Sequence, residues 1–339
     1  MQSRAIPPDS DVVYVGNTET TATVLRSLLE RDVPIAEVVT LDPERAERFD
    51  VSSYEDPTPV AAAHDIPVYY PEAFGMDTAA DRTHFGELAP DLVLVPGWQR
   101  LLPAEVLASA EHGALGAHGS AFGLPRGRGR SPLNWSLVEG LDRFVLSVFR
   151  LDDGPDSGAV VASRTFDVID HDTIRTLYYK VAMSLRELYL DALGPVLRGE
   201  AEYEEQTGEA TYYPKRTPDD GAIHWGDTTR DVHNLVRAVG RPYPGAFTEQ
   251  DGRRVDVWRA QPFSSLFAVD DPPGRIVQTF EATGDFVVST VDGSLLVTDW
   301  EADGWVPEEG ATFDSPGDHR RVDRPEHRHN LTGTGGDRE

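Results

Sequence analysis

The feature that most constrains the fold is an alternation of short apolar runs with helical patterns, which covers the first 195 residues and then stops. The apolar run at 12–15 ends at Gly16, and the valines and leucines of 18–30 then recur at helical spacing. This alternation predicts an α/β fold with a doubly wound, mostly parallel, Rossmann-like sheet. Further strands are predicted at 35–40, 66–70, 92–95, 114–118, 144–151 and 159–166, and helices at 60–64, 135–140 and 172–193.

The pattern changes after residue 198. Residues 199–211 are polar and rich in glutamate, so we interpret them as a linker. Asp251-Gly252 and Asp292-Gly293 each lie between alternating runs and predict two hairpins, which indicates a small β-barrel of the OB-like kind. We therefore expect a first domain at 1–205, a β-rich domain at 206–311 and a flexible tail at 312–339.

The absence of cysteine excludes a disulfide scaffold, a cysteine-ligated zinc site and a cysteine nucleophile. No apolar run reaches the roughly 18–20 residues of a membrane span. The N-terminus also lacks the apolar core of a signal peptide. We therefore expect a soluble, cytoplasmic protein without a membrane partner.

The net charge of −27 combines many carboxylates with only two lysines, Lys180 and Lys215. Because the acidic residues are spread along the chain, we interpret the composition as halophilic. In molar salt the Debye screening length is only about 3 Å, so repulsion between the carboxylates is largely suppressed. The alternative is an acidic protein that avoids nucleic acid.

The loop after the first strand contains one glycine, Gly16, within the sequence Val-Gly-Asn-Thr-Glu-Thr-Thr. A dinucleotide site needs three glycines there, for the turn and for the pyrophosphate. A nicotinamide or flavin enzyme is therefore disfavoured.

The stretch from Gly113 to Gly140 is the most informative part of the chain. His118 lies at the carboxyl end of a predicted strand, which is where ligands bind in open α/β sheets. Arginines alternating with glycines then precede Ser131-Pro132, and this pattern suits an anionic group near a helix start. The alternative is a core histidine followed by solvated arginines.

An acidic loop follows at 151–158, between two predicted strands. Its three carboxylates are Asp152, Asp153 and Asp156. In so acidic a chain the loop could also be an ordinary surface turn.

Together these motifs resemble the folate-dependent formyltransferases, most closely the sugar N-formyltransferases. The resemblance rests on His-Gly-Ser at 118–120, Leu124-Pro125, Arg-Gly-Arg-Ser-Pro-Leu-Asn-Trp at 128–135 and Asp-Ser-Gly at 156–158. Segments 214–220, 223–225, 234–239 and 241–247 are similar to the start of that family's C-terminal domain. The resemblance covers roughly residues 12–300.

The resemblance implies transfer of a formyl group from 10-formyltetrahydrofolate to a primary amine, without a metal. His118 would stabilise the oxyanion or shuttle the proton, and Asp156 would orient His118 and relay the amine proton. The acceptor implied is an amino sugar on a nucleotide. Site residues implied by the family's layout are Gly97, Trp98, Leu101, Leu102, Asp153 and Gly154 for the folate, and Ser120, Arg128 and Arg130 for the acceptor.

Several of these roles have alternatives. Trp98 is more often simply a packing residue, and Arg128 and Arg130 could equally tie down their loop with salt bridges. Methionyl-tRNA formylation fits the arginine-rich loop but conflicts with an acidic C-terminal domain. A non-catalytic binder of folate or nucleotide sugar is a further alternative, and the β-rich domain would offer a surface for a homodimer.

The chain departs from the family pattern at two places. Gly116 replaces an asparagine two residues before the histidine, and loss of such an oxyanion donor costs on the order of 2.7–4 kcal/mol. The segment from His118 to Leu124-Pro125 is also two residues longer than usual. We expect a backbone N–H in this loop to replace the asparagine.

Overall fold

Strands and helices mostly alternate up to residue 197. The computed structural model describes residues 5–267 and 270–315. These elements are, in chain order, β1 (Val12–Gly16), α1 (Glu19–Leu29), β2 (Ile35–Val39), α2 (Pro43–Arg48), α3 (Thr58–Ala62), β3 (Val68–Tyr69), α4 (Ala79–Leu88), β4 (Leu92–Gly97), α5 (Ala104–Leu107), β5 (Ala114–Ser120), β6 (Arg128–Gly129), α6 (Pro132–Val138), β7 (Arg143–Arg150), β8 (Val160–Asp167) and α7 (Ile174–Leu197).

Seven of these strands form one sheet in the order β3-β2-β1-β4-β5-β7-β8. Neighbouring strands from β3 to β5 pair in parallel, whereas β5 pairs with β7 antiparallel. The order reverses at β1, which has β2 on one side and β4 on the other, and ligands bind at such switch points. The predicted mostly parallel, doubly wound sheet is confirmed.

Strand β1 shows why these runs become parallel strands. Every residue of Val-Val-Tyr-Val-Gly is buried, as expected for a strand covered on both faces. The following helix is fixed by a capping box, because the Thr18 hydroxyl accepts from the Thr21 backbone N–H and the Thr21 hydroxyl accepts from the Thr18 N–H. Gly16 is required here, since a Cβ would lie 2.7 Å from the Thr21 Cβ.

The chain divides into two compact units. The first contains the residues up to Gly129, Phe144–Phe166 and Tyr178–Thr211. The second contains Arg130–Arg143, Asp167–Leu177 and the residues from Tyr212 onward. The second unit therefore includes two short segments, 130–143 and 167–177, that are flanked in sequence by residues of the first unit.

The remaining elements are β9 (Tyr212–Tyr213), a 3-10 helix (Pro218–Gly221), α8 (Thr229–Val239), β10 (Ala246–Gln250), β11 (Arg253–Ser264), β12 (Ile276–Phe280), β13 (Asp285–Ser289) and β14 (Ser294–Ala302). Five strands form an antiparallel sheet in the order β10-β11-β14-β13-β12. Residues 311–314 bridge its two edges, because the Ile276 N–H donates to Ala311 O at 2.8 Å and the Asp314 N–H donates to Glu249 O at 2.7 Å.

The hairpin turn between β10 and β11 has the predicted chemistry. Asp251 and Gly252 both have positive φ, +52° and +73°, as a type I′ turn requires. In the core of the same unit, Trp225 is fully buried, stacks on Phe313 with ring centroids 5.5 Å apart, and donates to the Thr248 hydroxyl at 3.0 Å.

Two parts of the sequence interpretation need correction or completion. Helices α2, α4 and α5 were not predicted, because each buries only one or two side chains and shows little apolar periodicity. The interpretation of 199–211 as a linker is wrong, since Glu204 exchanges two 2.8 Å backbone hydrogen bonds with Val160. Most of the predicted flexible tail, 316–339, lies outside the described residues.

Candidate functional site

His118 lies near the end of β5, with its side chain only 9% exposed. Its Nε2 atom is 2.9 Å from the Gly127 carbonyl oxygen, and its Nδ1 atom is 3.5 Å from Asp156 Oδ2. A carbonyl oxygen can only accept, so Nε2 carries a proton. The carboxylate of Asp156 therefore faces the other ring nitrogen, Nδ1.

Asp156 occupies a left-handed backbone conformation, with φ of +53°. Aspartate tolerates this region better than most residues. Its Oδ2 atom accepts from the Gly129 N–H at 3.1 Å, whereas Oδ1 has no hydrogen-bond partner among the described residues. The side chain is 23% exposed, so one carboxylate oxygen is free to accept a proton.

The loop around Asp156 is packed closely against its own strands. At Gly158 an added Cβ would lie 1.7 Å from the Arg150 carbonyl oxygen, so only glycine fits. Asp152 accepts hydrogen bonds from the Gly154 N–H, at 3.0 Å, and from the Ser157 hydroxyl. Asp153, next to it in the loop, is exposed.

Gln206 is a site residue that the sequence interpretation missed. Its side-chain Nε2 donates to the carbonyl oxygens of Asp156 and Gly158, at 2.9 and 2.7 Å. Its Oε1 accepts from Arg128 Nε and Nη2, at 3.2 and 2.7 Å. The composition of 199–211 is that of a linker and gives no sign of this role. The only available signal was that the segments after it, from residue 214 onward, resemble the family.

The long loop after His118 closes on itself. Ser120 is fully buried, donates its hydroxyl to Arg126 O and accepts from the Phe122 N–H at 3.3 Å. The Gly127 N–H donates to the Thr211 hydroxyl at 2.9 Å. Ser120, predicted to bind the acceptor, therefore fixes this loop and presents no surface to a substrate in this structure.

The position of the missing asparagine is filled by another side chain. A Cβ on Gly116 would lie 2.5 Å from Leu151 Cδ2 and 3.1 Å from Leu151 Cγ. Leu151 thus occupies the space where a side chain at 116 would begin.

The residues predicted for the folate divide into packing and surface positions. Gly97 ends β4. A Cβ added at this position would lie 2.9 Å from Thr21 Cγ2, so a side chain of α1 already occupies the space beside this glycine. Trp98 donates to Phe74 O at 2.9 Å and packs edge-on against the Phe74 ring. Leu101 is 64% exposed, and Leu102 is partly buried against the core.

The two arginines predicted for the acceptor differ in their surroundings. The Arg128 guanidinium binds Gln206, and its backbone N–H donates to Thr211 O at 2.9 Å. The Arg130 side chain is exposed.

Comparison with known proteins agrees with this architecture. The chain belongs to the formyl transferase family, because residues 11–193 match the model of the formyl transferase domain and residues 215–314 match that of the formyl transferase C-terminal domain. The resemblance inferred from the sequence is thus confirmed.

Solved structures from several sources share the fold. HypX from Aquifex aeolicus, crystallised in complex with tetrahydrofolic acid, has 20% identity and a TM-score of 0.63 over 86% of this chain and 44% of that chain. An N-formyltransferase from Helicobacter canadensis, in complex with folinic acid and dTDP-3-aminofucose, has 14% identity and a TM-score of 0.61 over 86% and 99%. Methionyl-tRNA formyltransferase from Clostridium thermocellum has 16% identity and a TM-score of 0.52 over 86% and 98%. This chain spans less than half the length of HypX.

Within residues 5–267 and 270–315, no cluster of three or more histidine and acidic side chains is arranged to hold a metal ion. In the same residues, no helix is both long and apolar enough to cross a membrane.

Proposed function

We propose that this protein transfers a formyl group from 10-formyltetrahydrofolate to a primary amine, and that the amine belongs to an amino sugar of a nucleotide sugar. The observation that carries the proposal is the His118–Asp156 pair at the carboxyl edge of the parallel sheet, in a chain of the formyl transferase family. The amine nitrogen attacks the formyl carbon and forms a tetrahedral oxyanion, which collapses as the bond to folate N10 breaks.

Asp156 is assigned the role of general base. Its Oδ1 atom has no competing hydrogen bond among the described residues, and Oδ2 is held by the Gly129 N–H. The amine proton passes to Oδ1, directly or through one water, and then returns to N10 of the leaving tetrahydrofolate.

His118 is assigned to stabilising the oxyanion or shuttling the proton, beside Asp156 and the reacting carbon. In this structure its Nε2 donates to Gly127 O, so stabilising the oxyanion from Nε2 requires that this hydrogen bond be exchanged for one to the formyl oxygen. Movement of the segment that carries the Gly127 carbonyl is therefore part of the proposal.

For the folate we propose the surface formed by 97–102 together with Asp153 and Gly154. Leu101 and Leu102 provide an apolar wall there, while Trp98 supports the loop from inside. For the acceptor phosphates we propose Arg130, because it is exposed, whereas the bonds of Arg128 to Gln206 support its alternative role in fixing the loop.

The test uses purified protein, 10-formyltetrahydrofolate and a panel of nucleotide-linked amino sugars. Release of tetrahydrofolate with formylation of the sugar amine is expected, and His118→Ala should abolish it while leaving the fold intact. Methionyl-tRNA is included as a competing acceptor, and turnover with it alone would overturn the sugar assignment. Binding of folate by titration calorimetry without turnover of any amine would instead favour a non-catalytic binder.

We also propose that the protein works in a salt-rich cytoplasm. The support is the net charge of −27 with two lysines. Unfolding temperature should rise as potassium chloride increases to molar concentration, because screening reduces self-repulsion. A fall over that range would contradict the assignment.

A further inference from the structure

Gln206 uses all the hydrogen-bonding capacity of its side-chain amide. The NH₂ group supplies one hydrogen to Asp156 O and one to Gly158 O, and the amide oxygen accepts from two nitrogens of Arg128. If the amide were turned by 180°, its NH₂ would face the guanidinium and its oxygen would face two carbonyls. The four partners therefore fix the orientation of this side chain.

The two carbonyls that Gln206 binds lie on either side of Ser157. They belong to the turn that holds Asp156 in its left-handed conformation, in a loop whose Asp152 and Asp153 are exposed. Fixing both peptide groups sets the direction in which the Asp156 side chain leaves the backbone, and hence its 3.5 Å distance to His118.

Strand β6 holds the same loop a second time. The Gly129 N–H donates directly to Asp156 Oδ2, and the neighbouring Arg128 reaches the Asp156 carbonyl through Gln206. The carboxylate and its backbone are thus held by consecutive residues of one strand.

The backbone on both sides of Gln206 is held by hydrogen bonds. Glu204 exchanges two 2.8 Å hydrogen bonds with Val160, and Thr211 accepts from the backbone N–H groups of Gly127 and Arg128 at 2.9 Å. The amide therefore projects from a segment anchored on both sides.

We infer that Gln206 is a positioning residue for formyl transfer, which holds the Asp156 turn so that the carboxylate faces His118 and the reacting amine. The inference rests on the proposed function, in which Asp156 is the general base. Gln206 acts through Asp156, so its loss should lower kcat and leave the KM of both substrates nearly unchanged. Displacement of a catalytic group by about 1 Å costs on the order of 100-fold in rate.

The test compares Gln206→Met with Gln206→Glu and with the control Glu205→Ala, which alters an exposed neighbour. Met keeps the length of the side chain but removes all four hydrogen bonds, and kcat should fall by roughly 100-fold. Glu keeps an acceptor for Arg128 but turns a carboxylate toward two carbonyl oxygens, so its kcat should fall at least as far. The control should keep the wild-type kcat.

A second measurement does not depend on turnover. Amide hydrogen exchange of residues 152–158 should accelerate in Gln206→Met and stay at the wild-type rate in Glu205→Ala. Wild-type kcat in Gln206→Met, or a loss shared by KM and kcat, overturns the inference, and so does unchanged exchange. Absence of turnover in the wild type contradicts the proposed function instead, while the exchange data still report whether Gln206 holds the turn.

Discussion

Two carboxylates in the first unit are held in opposite ways. Asp81, in α4, is fully buried, and both of its oxygens accept two hydrogen bonds. Oδ1 accepts from the Tyr69 hydroxyl at 2.8 Å and the Glu72 N–H at 2.7 Å, and Oδ2 accepts from the Thr78 hydroxyl at 2.9 Å and the Ala73 N–H at 3.2 Å.

Asp156 lies in the loop between β7 and β8 and keeps one oxygen without a partner in the described residues. Its side chain is 23% exposed. Four internal hydrogen bonds and full burial suit Asp81 to brace its loop, whereas partial exposure and an oxygen without an internal partner leave Asp156 open to a substrate.

The largest expected effect comes from removing the open oxygen of Asp156. Asp156→Asn keeps the size of the side chain and an acceptor for the Gly129 N–H but removes the base. Turnover of 10-formyltetrahydrofolate should fall by roughly 10²–10⁴-fold, and the unfolding temperature should change little. Steady-state kinetics with thermal unfolding checks this, and an active Asp156→Asn enzyme would refute the assignment of the base.

Asp81→Asn should have the opposite profile. The amide can accept at only one atom, so two of the four donors lose their acceptor, and the free energy of unfolding should fall by about 1–3 kcal/mol. Urea unfolding measures this loss, and kcat of the folded fraction should equal that of the wild type. A large loss of kcat would show that this cluster also serves the reaction.

The wild type and Asp81→Asn should also differ in how their stability responds to acid. Burial opposes ionisation of Asp81, but the hydrogen bonds from Tyr69, Glu72, Thr78 and Ala73 outweigh it and hold the pKa of Asp81 below its ordinary value of about 4. A carboxyl with a lowered folded-state pKa contributes stability above the unfolded value and loses it as pH falls through the folded value. The stability gap between wild type and Asp81→Asn should therefore be constant near neutral pH and narrow below about pH 4. A gap that widens in acid would contradict this account.

The smallest effect concerns Leu151, which directly precedes the Asp156 loop. Gly116→Asn restores the family's residue but meets Leu151 Cδ2, so we expect about 1–2 kcal/mol of destabilisation from overpacking. Adding Leu151→Ala should recover part of this loss. Urea unfolding of the single and double variants checks the pair, and a Gly116→Asn chain as stable as the wild type would show that Leu151 moves freely. A hundredfold gain in formyl transfer would show that no backbone donor replaces the asparagine.

The sequence predicted the central strands because they are continuous apolar runs. β1 and β4 show this most clearly, because nearly every residue in them is both apolar and buried. The Asp251-Gly252 turn was predicted for a similar reason, since its residues are needed locally for positive φ. His118 and Asp156 came from the resemblance, and the structure places them together.

The supporting residues could not be predicted in the same way. Gln206 acts through partners 48 to 78 positions away, and Leu151 fills space left by a glycine, so no local pattern records what they contact. Asp81 has partners 3 to 12 positions away, but they are hydrogen-bond donors and show no apolar pattern. α4 was missed because its most buried polar residue, Asp81, looks like a surface residue in sequence.

Because segments of the two units alternate along the sequence, the protein is difficult to recombine with a relative. The chain passes from one unit to the other at five places, the first after Gly129 and the last after Thr211. Within the second unit, the buried Arg237 donates to the carbonyls of Ile169 and Asp172, about 65 residues earlier in the chain. No single cut separates the units, because even a crossover after Thr211 leaves 130–143 and 167–177 of the second unit with the first parent. A chimera made by a single splice therefore always contains at least one unit assembled from both parents.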